Sequence, residues 1–223
     1  MILCIETTSH NCSVALGIGG TLLDCIEERG MGYSHAEKLH VNIQELLRRN
    51  AVDLKDLKSV AISAGPGSYT GLRIGVAAAK GLCFSLSIPL ISINTLDFLY
   101  ENVSKLHVGD VYIPVIDARR MEIYTCTFNK DGKKLEETSA VVVDKDFFQY
   151  QKEQVLIFGE GVEKLAPLLP KNYSIVYNIF PSATMMVAAS FIKYASKEYE
   201  DLAYYEPYYL KDFVAGVSTK TLL

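Results

Sequence analysis

ILCIETTSHNCSVALGIGGTLLDCIE, residues 2–27, reads as three short strands before any helix begins. Runs rich in Val, Ile, Leu and Cys cover 2–5, 11–18 and 21–27. Gly19-Gly20 between the last two is the signal of a two-residue hairpin, because the favoured turn needs positive φ at both central positions. Ser34-His35-Ala36-Glu37 then has the S-x-x-E form of a capping box. Ala36, Leu39, Ile43, Leu46 and Leu47 follow at helical spacing until Asn50 offers a stop. A strand at 60–64, a Gly-Pro-Gly turn, a helix over 69–85, a strand at 90–93 and a helix from 95 to 103 complete a βββαβαβα order.

The rest of the chain repeats that order. Strands are expected at 111–116, 123–128 and 134–138, with Asp131-Gly132 as the turn between the last two. A helix near 144–152, a strand at 155–158, a helix near 162–169, a strand at 174–177 and a helix over 182–199 follow. An acidic residue closes the first strand of each half, Glu6 and Asp117, 111 positions apart. Glu6 precedes the hairpin glycine Gly19 by 13 positions and Asp117 precedes Asp131 by 14. Two copies of one unit therefore describe the 223 residues better than one irregular domain. The division falls at 1–105 and 106–223, with the C-terminal tail expected to pack back on the first lobe.

Composition narrows the classes. At 49% hydrophobic residues the chain carries material for a sizeable core, which excludes a disordered or fibrous protein. Lys and Arg number 22 against 26 Asp and Glu, a net charge of −4 that argues against autonomous nucleic-acid binding. The five cysteines, Cys4, Cys12, Cys25, Cys83 and Cys126, contain no C-x-x-C pair and read as small apolar residues of a reducing compartment. No signal peptide is recognisable at the N-terminus, and Arg73, Lys80 and Pro89 interrupt the longest apolar stretch, so the expected location is the cytoplasm, away from membranes.

A duplicated βββαβαβα unit with an acidic residue after each first strand is the plan of the α/β actin, hexokinase and Hsp70 (ASKHA) superfold, whose two lobes face across a nucleotide cleft. Fold alone does not give function. More specific is Gly65-Pro66-Gly67-Ser68-Tyr69-Thr70-Gly71-Leu72-Arg73-Ile74-Gly75 with Val76-Ala77-Ala78-Ala79-Lys80-Gly81-Leu82. It closely resembles the signature of the bacterial TsaB (formerly YeaZ) family. Glu6-Thr7-Thr8, Cys12 to Leu16, Ile116-Asp117-Ala118-Arg119-Arg120-Met121-Glu122-Ile123-Tyr124, Gly159-Glu160-Gly161 and Pro207-Tyr208-Tyr209-Leu210 agree in order, spanning nearly the whole chain. Glu6 stands where that family commonly has Asp, and Lys211 where Arg often follows.

The resemblance implies a non-catalytic subunit for the threonylcarbamoyl modification of the tRNA adenosine beside the anticodon (t6A). It would bind and activate TsaD, with TsaE, for transfer from threonylcarbamoyl-adenylate, touching tRNA only through the complex and forming homodimers when alone. No cofactor would be required, with weak ATP or ADP binding as the most the cleft would do. A degenerate phosphate cleft would use Glu6, Thr7, Thr8, Gly65, Gly67, Ser68, Asp117 and Arg119. The partner surface is expected on the helices over 34–50 and 69–85, at Leu39, Ile43, Leu72, Gly75, Val76 and Ala79.

On physical grounds alone, the Gly65-Pro66-Gly67 turn opens a helix and its amides are able to form an anion nest; a tight turn needed only for packing explains the glycines equally well. It is neither a Rossmann fingerprint nor a P-loop. Gly71, Gly75 and Ala79 line one helix face that lets another backbone approach, either the protein's own sheet or a partner. His35 and His40, five apart, point some 140° away from each other on a regular helix and cannot chelate one ion. His35 is expected as a solvated first-turn residue. The rival reading is an independent ATP-binding phosphotransferase or ATPase using Glu6 and Asp117; a metallopeptidase would need a metal site that the sequence does not offer.

Overall fold

A computed structural model describes residues 1–30, 35–144, 147–150 and 152–211. The first half supplies β1 (Ile2–Glu6), β2 (Asn11–Ile18), β3 (Thr21–Arg29), α1 (His35–Arg49), β4 (Ser59–Gly65), α2 (Tyr69–Leu86), β5 (Leu90–Asn94) and α3 (Thr95–Val103). The second supplies β6 (Val111–Asp117), β7 (Glu122–Asn129), β8 (Lys134–Val142), β9 (Val155–Gly159), β10 (Tyr173–Val176) and α4 (Val187–Ser196). The sheets run β3-β2-β1-β4-β5 and β8-β7-β6-β9-β10, so the second repeats the first strand for strand. In each, the first strand pairs antiparallel with the hairpin on one side and parallel with its neighbour on the other. This is the expected two-lobed plan.

Both faces of β1 are covered, which is why its sequence is a continuous apolar run. Leu3 and Ile5 face α1 and α2, packing with Val14, Leu39, Leu46, Ile62 and Ala79. Ile2 and Cys4 face the opposite way, into a core with Phe98, Tyr112, Phe128, Phe158 and Met186 that joins the two sheets. The two helices of this middle layer differ: α3 packs between the sheets, on β4 and β5 of its own and on β6 and β7 of the other, whereas α4 packs on β1, β2, β3 and β5 of the first. A third cluster, with Ile113, Ile157, Phe148 and Tyr173, covers the far face of the second sheet. No helix among the described residues is long and apolar enough to cross a membrane.

Local chemistry explains where elements end. Gly19 and Gly20 have φ of 58° and 82°, the tight turn read from their sequence. The second hairpin is longer than a two-residue turn: the Gly132 amide bonds the Asn129 carbonyl at 3.1 Å, with Gly132 at φ 83°. Asn94 caps α3 by accepting from the Leu96 and Asp97 amides at 2.9 and 3.3 Å.

Three expected helices differ. Ser34 of the capping box lies outside the described residues, as do 145, 146 and 151 of the helix expected near 144–152, while Phe147–Tyr150 form no α-helix. The helix expected near 162–169 is instead two 3₁₀ turns, Val162–Lys164 and Ala166–Leu168. Pro167 and Pro170 remove amide donors, and Leu169 before Pro170 is extended, with ψ 132°, which ends the second turn. The segment 182–199 divides into a 3₁₀ turn, Ala183–Met186, and α4, which ends where Lys197 turns to φ 59°.

After α4 the chain returns along the first lobe. The Glu200 amide bonds the Leu90 carbonyl at 2.9 Å, covering the β5 edge, and the Tyr208 amide bonds the Ala64 carbonyl at 2.8 Å beside the glycine turn. Lys80 Nζ donates to the Ala203 and Tyr205 carbonyls at 3.1 and 3.2 Å.

Candidate functional site

β6 of the second sheet ends on Asp117, and β1 of the first ends on Glu6. The residue is fully buried. Its Oε1 accepts from both the amide and the hydroxyl of Thr8, whereas Oε2 has no hydrogen-bond partner among the described residues. Burial pushes the carboxyl up to about 7, against the pull of the Thr8 and Ser63 hydroxyls and the Thr8 amide. Such a group is half protonated near neutrality and faces its own loop.

The glycine turn is filled from the same loop. The Ser68 amide donates to the Thr8 carbonyl at 2.7 Å, and the Ser68 hydroxyl caps α2 by accepting from the Gly71 amide at 3.3 Å. A Cβ on Gly67 would lie 2.4 Å from Thr8 Cβ, one on Gly71 1.9 Å from the Thr7 carbonyl oxygen, and one on Gly75 2.3 Å from Thr7 Oγ1. Thr7 Oγ1 in turn donates to the Gly71 carbonyl at 2.8 Å. These glycines permit close packing: α2 rides directly on the β1–β2 loop. Gly65, at φ 100°, has Tyr208 against it, where a Cβ would meet the carbonyl oxygen at 3.0 Å.

From the second lobe, Asp117 Oδ1 accepts from Lys164 Nζ at 2.7 Å and from the Arg119 amide at 2.6 Å. Lys164 also donates to the Arg120 and Glu122 carbonyls at 3.0 and 2.6 Å, pinning the β6–β7 turn. Glu160, in the turn after β9, ion-pairs with His10. Lys164, Glu160 and His10 were absent from the expected site. Gly159-Glu160-Gly161 carried a signal, since both glycines have positive φ and Gly161 approaches Asp117 closely.

His35 is not solvated. It is buried, its Nε2 meets the Ser9 carbonyl at 2.8 Å, and burial lowers its pKa. His40 is exposed, so the two rings do diverge. Among the described residues no cluster of three His, Cys, Asp or Glu side chains could hold a metal ion.

Leu39, Ile43, Leu72, Gly75, Val76 and Ala79 are all buried within this chain, on the side of α1 and α2 that meets the sheet. A helical face that is apolar because it covers its own sheet reads in sequence like one that covers a partner. The outward side of α2 is Thr70, Arg73, Ala77, Gly81 and Phe84, and Phe84 is 80% exposed; on α1, Val41 is 61% exposed. A pocket of about 480 Å³ lies elsewhere, on β7 and β8, with Glu136, Glu137 and Phe147 among its walls.

A family model described as TsaD, tRNA N6-adenosine threonylcarbamoyltransferase, matches residues 31–217. The tRNA threonylcarbamoyladenosine biosynthesis protein TsaB of Bacillus subtilis is 32% identical over 169 residues, covering 71% of this chain and 70% of that one. The TsaB protein of Escherichia coli is 29% identical over 225 residues, 96% of each chain. YeaZ from Pseudomonas aeruginosa superposes with a TM-score of 0.77 at 24% identity, over 94% of this chain and 99% of that one, which shows the same fold. With relatives of that name over 96% and 71% of its length, the second at 32% identity, the chain belongs to the TsaB (YeaZ) family of tRNA threonylcarbamoyladenosine biosynthesis proteins.

Proposed function

We propose that this chain is the accessory, non-catalytic subunit that binds TsaD, together with TsaE, and supports transfer of the threonylcarbamoyl group from its adenylate to tRNA. The observation that carries the reading is the internal commitment of the groups expected in the cleft. Glu6 is fully buried with its Oε1 held by Thr8, and the Ser68 amide is bonded to the Thr8 carbonyl. A phosphate cradle needs outward amides and a carboxylate able to hold a hydrated cation, so these residues do not fit a Mg–nucleotide site as they stand. Contact with TsaD is assigned to the outward sides of α1 and α2, around Val41, Ala77 and Phe84, where apolar side chains are exposed.

The contribution is conformational: docking favours the TsaD state competent for transfer, which requires different affinities for its two states. Threonylcarbamoyl transfer to tRNA is measured with TsaD, TsaE and the adenylate, with and without this chain. Transfer is expected to fall sharply when the chain is omitted; undiminished transfer refutes the reading.

A further inference from the structure

The chain has six arginines, and their partners divide them into two sets. Arg29 pairs with Glu27, Arg48 with Glu45 and Arg49 with Asp24. Arg73, Arg119 and Arg120 are exposed and make no ion pair among the described residues. All three unpaired arginines belong to one belt that runs from α2 to the β6–β7 turn.

The belt passes from α2 through the C-terminal segment to the β6–β7 turn. The Arg73 guanidinium sits 5.2 Å from the centroid of the Tyr69 ring, and Tyr69 packs against Tyr209 at 5.0 Å. Two residues on, Lys211 crosses to the second lobe, where it pairs with Glu122 and lies 5.7 Å over the Tyr124 ring. Arg119, in the β6–β7 turn, lies within electrostatic reach of that phenol, whose pKa burial raises and Lys211 and Arg119 lower. Arg120 follows in the turn. The backbone at Arg119 and Arg120 has φ of 69° and 51°, a conformation costing on the order of 1 kcal/mol per non-glycine residue. Neither side chain is buried or ion-paired in return.

We propose that this belt, with Arg73, Tyr209, Lys211, Arg119 and Arg120 as its contacts, binds single-stranded RNA of the kind an unpaired tRNA loop presents. Tyrosine rings and guanidinium planes offer flat faces to unstacked bases, and unpaired guanidiniums fork onto phosphate oxygens. An acidic protein surface would engage the charges and leave the alternating rings without a role. A net charge of −4 is no obstacle, because the cations here are concentrated: Asp117 and Glu122 are held by Lys164 and Lys211, which leaves Glu206, near Tyr209, as the carboxylate that the three unpaired arginines outweigh. The geometry stands by itself; the choice of RNA among polyanions rests on the accessory role proposed above.

The test titrates a labelled short RNA hairpin with an unpaired loop, and a loop-free duplex of equal length, with the full chain at low and raised salt. The hairpin is expected to bind more tightly than the duplex. Arg119→Asn with Arg120→Asn keeps residues that tolerate the left-handed backbone. It is expected to weaken hairpin binding about tenfold and to flatten the log–log salt slope by about 1.4, two phosphate contacts' worth. Tyr209→Ala is expected to weaken binding about tenfold with the slope unchanged, and Tyr209→Phe to leave it intact. No hairpin binding, binding indifferent to these substitutions, or equal displacement by polyaspartate overturns the proposal, the last pointing to an acidic partner. TsaD co-purification is measured with the same chain. If TsaD is held and the hairpin is not, the belt is wrong and the accessory role stands; if the hairpin is held and TsaD is not, the belt stands and the accessory role is wrong.

Discussion

Glu6 places a titratable group at the centre of the first lobe. Its folded pKa of about 7 lies above the ordinary carboxylate value of 4.5, so the folded state binds this proton more tightly than the unfolded chain does. The protonated form is free of penalty below pH 4.5; stability is lost as pH rises from there to 7, by about 3 kcal/mol in full, and the loss then levels off. Glu6→Gln keeps the acceptor facing Thr8 and removes the titration. Its melting temperature relative to the parent chain is expected to be higher at pH 8 than at pH 4.5, and an equal difference at both would show that Glu6 does not titrate there. Two glycines of α2 give a second comparison. Gly71→Ala drives a methyl to 1.9 Å from the Thr7 carbonyl oxygen and is expected to cost about 3 kcal/mol in chemical denaturation, since a backbone must move. Gly81 has nothing within 4 Å of its would-be Cβ, so Gly81→Ala is expected to stabilise the helix by about 1 kcal/mol. Both look alike in sequence; only the neighbour supplied by the β1–β2 loop separates them.

For the helices, what was legible depended on whether the deciding partner lay nearby in the chain. The Gly19-Gly20 turn and α3, which spans Thr95–Val103 as expected behind its Asn94 cap, are set by residues a few positions apart. The region 162–169 misread because its apolar spacing competes with two prolines, and loss of amide donors outweighs periodicity. The residues expected at the partner surface were legible as the most regular apolar stripes, and in the structure Leu39, Ile43, Leu72, Val76 and Ala79 are buried within the chain itself. Gly75→Arg or Val76→Arg would therefore unfold the lobe before testing any interface. Ala77→Arg and Phe84→Arg instead alter exposed positions of α2. Each is expected to leave the melting temperature within a few degrees of the parent and to weaken TsaD co-purification at least tenfold, the loss of a central apolar contact. Retained co-purification of both variants would move the interface off α2.

Across the whole molecule, repetition made the sheets legible and hid how they are joined. Glu6 and Asp117 mark equivalent strand ends, and the two strand orders match. Yet Glu6 is fully buried with its Oε1 held by Thr8 while Asp117 is exposed on Lys164, because burial is decided by what the other elements bring, not by position in the repeat. The placing of α3 and α4 is likewise a long-range choice: α4 packs on the sheet of the other half, α3 packs on both sheets, and Phe98, Met186, Phe128 and Phe158 share one core with Cys4 and Ile91. Separating the lobes would expose that core, a cost that couples their stabilities. Calorimetric unfolding is therefore expected to show one transition with equal calorimetric and van't Hoff enthalpies. Phe158→Ala, which empties a fully buried site between the sheets, is expected to remove about 3–5 kcal/mol and lower that single transition without splitting it. Fluorescent probes placed on β3 and β8 should report the same midpoint in the parent and in the variant. Two midpoints would mean that the lobes fold independently and that the shared core only docks them.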